Sequence, residues 1–301
     1  MRGGAVDTSE PPCSSDANST ADEEPLSPVQ IPTLKSLFVE QRFGETVLGT
    51  ATAFLAANDR ESHCALITNR HVVTGRHQHT GKCLHSKGGV PDNIVIHFHK
   101  QARQIGEWKP ITLPLYRSDG TPYWIEHPRL GASADLVALN LSWKNDVRKL
   151  PYYMKLELDR ANMLVGPAEA VSVIGFPFGL SSAGRYPVWA TGFLAQELSL
   201  MTPENPVFLI DCRTRPGQSG SAVIAFRPAG YRKHQDGRAA VTLTTIAAWE
   251  FLGIYSGRVN AESDLGKVWH ASAVEEVLDA AAADMVRRTA KSRPSPPEVG
   301  Q

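Results

Sequence analysis

Apolar residues fall along the chain in short runs separated by Gly, Pro, Asn and Asp. The runs are TVLGTATAFLA (46–56), CALITNRHVV (64–73), NIVIHFH (93–99), LVALNLS (136–142), AVSVIGFP (170–177), VWATGFLA (188–195), VFLIDC (207–212), SAVIAF (221–226), LTTIAAW (243–249) and LGIYSG (252–257). Each is too short for an ordinary helix and rich in β-branched or aromatic residues, which predicts frequent short strands joined by turns. One segment breaks the pattern. SAVEEVLDAAAADMVRR (272–288) spaces Val274, Val277, Leu278 and Ala281 along one helical face, and Ser272 with Glu275 fits a capping box. The prediction is an all-β chain that closes with an amphipathic helix used for packing.

The ends differ from the middle. Residues 1–33 are rich in Ser, Pro, Asp and Glu and are expected to be a disordered leader, with 291–301 as a similar tail. SWKNDVRKLPYYMKLELDRANM (142–163) is charged and lacks β alternation, so it reads as a connection between halves of similar size. This divides the folded part into 34–150, 151–271 and a helix at 272–290. No internal repeat of solenoid length is present.

Composition narrows the function. With 301 residues and 42% apolar content the chain can bury a substantial core. Lys+Arg and Asp+Glu are both 31, so no basic excess points to nucleic acid or an anionic membrane. The leader has no apolar core of the kind a secretory signal needs, and no window reaches the ~18 apolar residues of a transmembrane helix. Four cysteines, Cys13, Cys64, Cys83 and Cys212, form no C-x-x-C pair. Together these lead to the expectation of a cytoplasmic protein with reduced thiols, a Cys64–Cys83 bridge staying open as an alternative.

Three residues stand at junctions where a strand gives way to a loop. In ALITNRHVVTG (65–75), His71 follows an apolar run, placed to project into a cleft or to serve as a partly buried structural histidine. In GASADLVALNLS (131–142), Asp135 precedes a strongly apolar strand; it is either a surface carboxylate or the acid that orients a histidine. In RTRPGQSGSAVI (213–224), Ser219 lies between Gln218 and Gly220. A serine needs a neighbouring base and converging N–H donors to act as a nucleophile, and Gly217 is free to adopt the backbone angles that aim such donors. None of the three is decisive alone.

Taken in order, His71, Asp135 and Ser219 resemble the trypsin-like serine peptidase family of chymotrypsin-like fold, closest to bacterial high-temperature-requirement-type protease domains. The resemblance runs through GTATAFLA, LITNRHVV, ADLVALNL, VSVIGFPFGL, ATGFLAQE, IDCRTRPGQSGSAVI and FLGIYSG, over about residues 45–275. It implies two six-stranded antiparallel β-barrels with the active site between them. It implies a serine endopeptidase acting on protein or peptide through an acyl-enzyme, without cofactor or metal. His71 would be general base, Asp135 its orienting acid and Ser219 the nucleophile, with the amides of Gly217 and Ser219 as oxyanion donors. Ser256 and Gly257 would line the specificity pocket and pair with the substrate chain. Arg213, six residues before Ser219, would either form the base of that pocket and select an acidic residue or sit solvated at a loop edge.

The chain departs from the family at Ser221, where Gly is common, and in RPAGYRKHQDGRAA (227–240), a charged insertion that would border the active site. Cys64 and Cys212 do not match the disulfide positions of secreted members, and an appended peptide-binding domain after residue 290 is not expected. Two other functions compete. A catalytically silent trypsin-like domain would serve as a protein-binding scaffold. A metal site would draw on His77, His79, Cys83, His85, His97 and His99, but H-x-H-x3-C-x-H is no standard zinc spacing, and a polar loop explains it better. An α/β-hydrolase is rejected, because its acid and histidine would have to follow Ser219 in βαβ segments.

Overall fold

The computed structural model describes residues 29–101, 106–143, 145–156, 159–228, 230–235, 238–243, 246–260 and 262–291. The expected leader therefore lies mostly outside the described residues, as do Cys13 and the tail after 291. The described part of the leader carries a short helix, α1 (Ile31–Lys35).

The first half is built from β1 (Ser36–Phe43), β2 (Thr46–Ala57), β3 (Ala65–Thr68), helix α2 (Arg70–Thr74), β4 (Asn93–His99), β5 (Trp108–Pro114), β6 (Trp124–Glu126) and β7 (Val137–Asn140). After it come β8 (Tyr152–Tyr153), β9 (Ala170–Gly175), β10 (Val188–Leu194), β11 (Val207–Asp211), β12 (Ala222–Arg227), β13 (Tyr231–Gln235), β14 (Arg238–Thr242), β15 (Ala248–Arg258) and β16 (Leu265–His270), then helix α3 (Ala271–Lys291). The first half forms one curled sheet in the order β5-β4-β1-β2-β3-β7-β6, to which β8 adds alongside β2. The second half closes completely, as β10-β11-β16-β15-β12-β9. The all-β architecture expected from the apolar runs is present, with its first sheet left open between β5 and β6 and only the second ring sealed.

The periodic apolar face of α3 is what joins the halves. Val274, Val277, Leu278 and Ala281 are buried in a cluster that also holds Phe54, Ile67 and Leu136 from the first half and Ile174, Ile224 and Phe251 from the second. Each buried Val or Leu side chain contributes about 1.5–3 kcal/mol, so this one helix face ties the two halves into a common core. Its start differs from the predicted capping box. The helix begins at Ala271, Ser272 Oγ lies 3.0 Å from His270 Nδ1, and Glu275 Oε1 accepts from Arg160 at 3.0 Å.

The charged connection is also anchored. Asp159 is completely buried, and its carboxylate accepts from Lys35 Nζ (2.6 Å), Trp249 Nε1 (2.7 Å) and the amide of Tyr153 (2.9 Å). The insertion at 227–240 forms the two-stranded β13–β14 ribbon, which bonds to the loop at Met163 and Leu164 and pairs Arg232 with Glu169. Among the described residues none of the insertion lines the cleft described below, which corrects the expectation that it borders the site. The LTTIAAW run is not one strand: β14 ends at Thr242 and β15 begins at Ala248. Among the described residues no helix is long and apolar enough to cross a membrane.

Candidate active site

Strand β3 ends at Thr68, and the chain turns at Asn69 into α2, so His71 sits in a helical turn rather than at the strand end itself. Val72 and Val73 are buried beneath it and fix the turn. The His71 ring meets Asp135 across the first half: Nδ1 lies 2.7 Å from Asp135 Oδ2, and the His71 amide donates to Oδ1 at 3.0 Å. Asn69 Nδ2 donates to the Asp135 carbonyl at 2.6 Å. Asp135 is 2% exposed. A carboxylate so buried needs several donors, and it also receives one from the Ser256 hydroxyl of β15. Held against this carboxylate, His71 carries its proton on Nδ1 and turns Nε2 away from Asp135.

Ser219 comes from the second half, on the turn between β11 and β12. Gly217 has φ +96°, and a Cβ there would stand 2.3 Å from the Phe176 carbonyl, so both the backbone angle and the space demand glycine. Gly220, at φ +86°, is pressed equally close to the Thr52 carbonyl. Gln218 is completely buried and accepts the Arg215 amide on Oε1 at 2.8 Å, bracing the turn from inside. Two bonds from β2 tie this turn to the first half. The Thr52 amide donates to the Ser219 carbonyl, and Thr52 Oγ1 to the Gly217 carbonyl, both at 2.9 Å. Among the described residues the amides of Gly217 and Ser219 donate to no protein acceptor, so both remain available to a ligand oxygen.

His71, Asp135, Gly217, Ser219, Ser256 and Gly257 all line one open cleft between the halves, with a volume of about 380 Å³. The Ser219 hydroxyl makes no hydrogen bond to His71 among the described residues. A second pocket, lined by Leu48, Leu84, Phe178 and Pro216 among others, continues it past Gly217.

Of the two readings of Arg213 the structure places it at the solvated loop edge, and the role of Ser256 shifts. Arg213 does not line the cleft: its side chain is 84% exposed, with Nε 3.7 Å from Asp264, as a long cation at a loop edge gains more from water than from a pocket. Ser256 lies on the cleft wall as expected, but its hydroxyl is turned to Asp135 rather than to the open space. Other cleft residues were not singled out for this site: Thr50, His77, His79, Arg258 and Lys267. The two histidines belong to the loop read above for metal spacing, whereas Arg258 and Lys267 carried no motif. Among the described residues no group of three or more His, Cys, Asp or Glu is arranged to hold a metal. His97 Nε2 instead lies 3.1 Å from Glu40, and Cys83 Sγ donates to the Gly89 carbonyl. Cys64, Cys83 and Cys212 are all free thiols, and burial pushes Cys64 up to about 12 and Cys212 to about 11.

The model of the family described as "trypsin-like peptidase domain" matches residues 51–227. No curated protein matches the chain. Among solved structures, the active form of the Rv3671c protease from M. tuberculosis is similar over 85% of this chain and 92% of its own, at 15% identity and TM-score 0.42. The serine endoprotease from Yersinia pestis is similar over 86% of this chain and 69% of its own, at 13% identity and TM-score 0.46. The protease Anisep from Arthrobacter nicotinovorans is similar over 84% and 98%, at 13% identity and TM-score 0.42.

Proposed function

Because this chain belongs to the trypsin-like peptidase domain family, we propose that it is a serine endopeptidase whose nucleophile is Ser219. The observation that carries the reading is the buried Asp135 carboxylate, held by His71 and Ser256 on the wall of the cleft that Ser219 also lines.

In this reading His71 Nε2 takes the Ser219 hydroxyl proton as Oγ attacks the scissile carbonyl carbon. The carbonyl oxygen becomes an oxyanion between the unengaged amides of Gly217 and Ser219; losing one such donor typically costs ~10²–10³ in rate. The tetrahedral species collapses, the C–N bond breaks, and the proton on His71 passes to the leaving amine. Water then attacks the acyl-enzyme with His71 again as base, releasing the acid and restoring Ser219. Asp135 keeps the proton on Nδ1 and balances the imidazolium in both steps. Ser256 and Gly257, at the irregular pairing of β15 with β16, are placed to contact the part of the substrate that becomes the acyl group.

The absence of a Ser219–His71 hydrogen bond is what a catalytically silent scaffold would also display. Such bonds are commonly long before substrate binds, and a single rotation about the Ser219 side-chain torsion moves the hydroxyl between positions. A fluorophosphonate probe separates the two. Labelling of the wild type and not of Ser219→Ala, with casein hydrolysis lost in the variant, is the expected result. An unlabelled wild type, or a variant that hydrolyses casein at the wild-type rate, overturns the assignment.

A further inference from the structure

Apart from Asp135, among the described residues the charged side chains lining the cleft beside Ser219 are cations. Its wall carries Arg258 at the end of β15 and Lys267 on the neighbouring β16, with His77 and His79 facing them from the loop after α2. Both line the cleft from paired strands, where Gly257 lies opposite Lys267 and Arg258 opposite Gly266, so the two side chains leave opposite faces at the edge of the β15–β16 pair. Lys267 Nζ lies 3.3 Å from His79 Nε2, so the ammonium reaches across the cleft to the opposite wall. The one carboxylate lining the cleft is Asp135, already saturated by His71 and Ser256. Asp264, the nearest acidic residue of the adjoining turn, faces Arg213 and Arg215 instead. Among the described residues neither Arg258 nor Lys267 forms an ion pair.

Surface cations are normally interspersed with carboxylates, and this chain as a whole is neutral. Two unpaired cations on the wall of a concave, half-enclosed site raise the local potential and attract an anionic group. We propose that the cleft selects substrates carrying an Asp or Glu side chain within two residues of the scissile bond on its acyl side, with Lys267 and Arg258 as the recognising residues. This deepens the endopeptidase reading and rests on it. It also moves the acidic preference away from Arg213, which lies outside the cleft. The carboxylate would take over the Lys267 ammonium from His79, replacing a contact with a ring nitrogen by a charge-assisted bond.

Two measurements test it separately from the catalytic assignment. In the first, the wild type is given a peptide library and the cut bonds are mapped. Enrichment of Asp or Glu at the first or second position before the cut is expected; cutting without that enrichment overturns the proposal while leaving the peptidase reading intact. In the second, Ser219→Ala protein is titrated with fluorescent peptides that differ only by Glu or Lys at that position, which needs no turnover. The Glu peptide is expected to bind about 10- to 100-fold more tightly, the range of one charge-assisted bond, with the advantage shrinking as salt rises. Lys267→Glu in that background inverts the order, and Arg258→Gln, a milder change, reduces the advantage severalfold. Equal binding of the two peptides, or a ratio unmoved by both substitutions, refutes the assignment even if the protein cleaves nothing.

Discussion

Thr52 Oγ1 donates to the carbonyl of Gly217 at 2.9 Å, across 165 positions of sequence and between the two halves of the molecule. The same hydroxyl oxygen accepts from the Phe176 amide at 3.3 Å, and the Thr52 carbonyl accepts from Thr68 Oγ1 at 2.9 Å. A single buried threonine thus holds the turn that carries Ser219 against the strand preceding His71. The Gly217 amide keeps its direction into the cleft while its carbonyl side is fixed, so Thr52 would position the oxyanion donors of the proposed mechanism without touching substrate.

Replacing Thr52 with the near-isosteric Val keeps the volume and removes both hydroxyl bonds. The Gly217 carbonyl is left buried and unpaired, at about 1–3 kcal/mol. We expect a lower denaturation midpoint and a fall in kcat of about tenfold or more with little change in KM, because the loss concerns donors used in the transition state. Steady-state kinetics on a casein-derived peptide read the split. A variant with wild-type kcat would show that the turn holds its shape without this tie.

Ser256→Ala removes one of the donors to the Asp135 carboxylate and leaves the two from His71. Hydrogen bonds to charged groups contribute about 1.5–3 kcal/mol, so kcat/KM is expected to fall roughly 10- to 100-fold while the protein stays folded. Restoring a hydroxyl with Ser256→Thr should recover part of the loss. Were Ser256 only a wall of the substrate pocket, KM would rise and kcat would hold; the expected pattern is the reverse.

The three residues His71, Asp135 and Ser219 were legible as polar positions bordering apolar runs, and their order as a resemblance to the trypsin-like family. Their convergence is long-range, and nothing local to any one of them names its partners. Strands β1, β5 and β16 were not among the apolar runs, because SLFVEQRF, WKPITLP and LGKVWH mix charged and apolar residues at a sheet surface. Thr52 is visible only as a polar position in a buried strand, with nothing local to name Gly217 as its partner. Lys267 and Arg258 were silent for a different reason: an unpaired cation is recognisable only when its surroundings are known. Lys35 and Asp159 lie 124 positions apart, and only the fold brings them together.

His270 links pH to the anchoring of α3. Its Nδ1 accepts the Ser272 amide at 3.2 Å, taking up one of the unbonded N–H groups at the start of that helix. Burial holds its pKa at about 4, with Arg160 adding to the effect, against an ordinary value of 6.5. Between these values the unfolded chain binds a proton that the folded one refuses. The contribution is therefore fully present above about pH 6.5 and is lost as pH falls through 4, by at most about 3.4 kcal/mol in all. Burial shifts His97, His99 and His127 in the same direction, so the whole protein should lose stability on acidification. His270→Asn keeps an acceptor near Nδ1 without the titration. Urea unfolding at several pH values is expected to show a shallower slope near pH 5, by up to about 1.4 kcal/mol per pH unit; an unchanged slope rules out His270 as a source.

The ion pair of Lys35 with Asp159 gives the sharpest stability test, since both side chains are almost wholly buried. Lys35 Nζ also donates to the Pro151 carbonyl at 2.8 Å and lies over the Tyr152 ring, while desolvation lowers its pKa against the opposing pull of Asp159. Lys35→Met leaves the Asp159 carboxylate in the core with donors only from Tyr153 and Trp249, at about 3–5 kcal/mol. Adding Asp159→Asn removes the stranded charge and keeps an acceptor for Trp249. The double variant should therefore be more stable than Lys35→Met alone, with a coupling of about 1 kcal/mol or more. Because neither residue borders the cleft, the folded fraction of each variant should be labelled by fluorophosphonate at the wild-type rate. Strictly additive losses would mean that Lys35 and Asp159 act independently, Lys35 through Pro151 and Tyr152 and Asp159 through Trp249 and the Tyr153 amide.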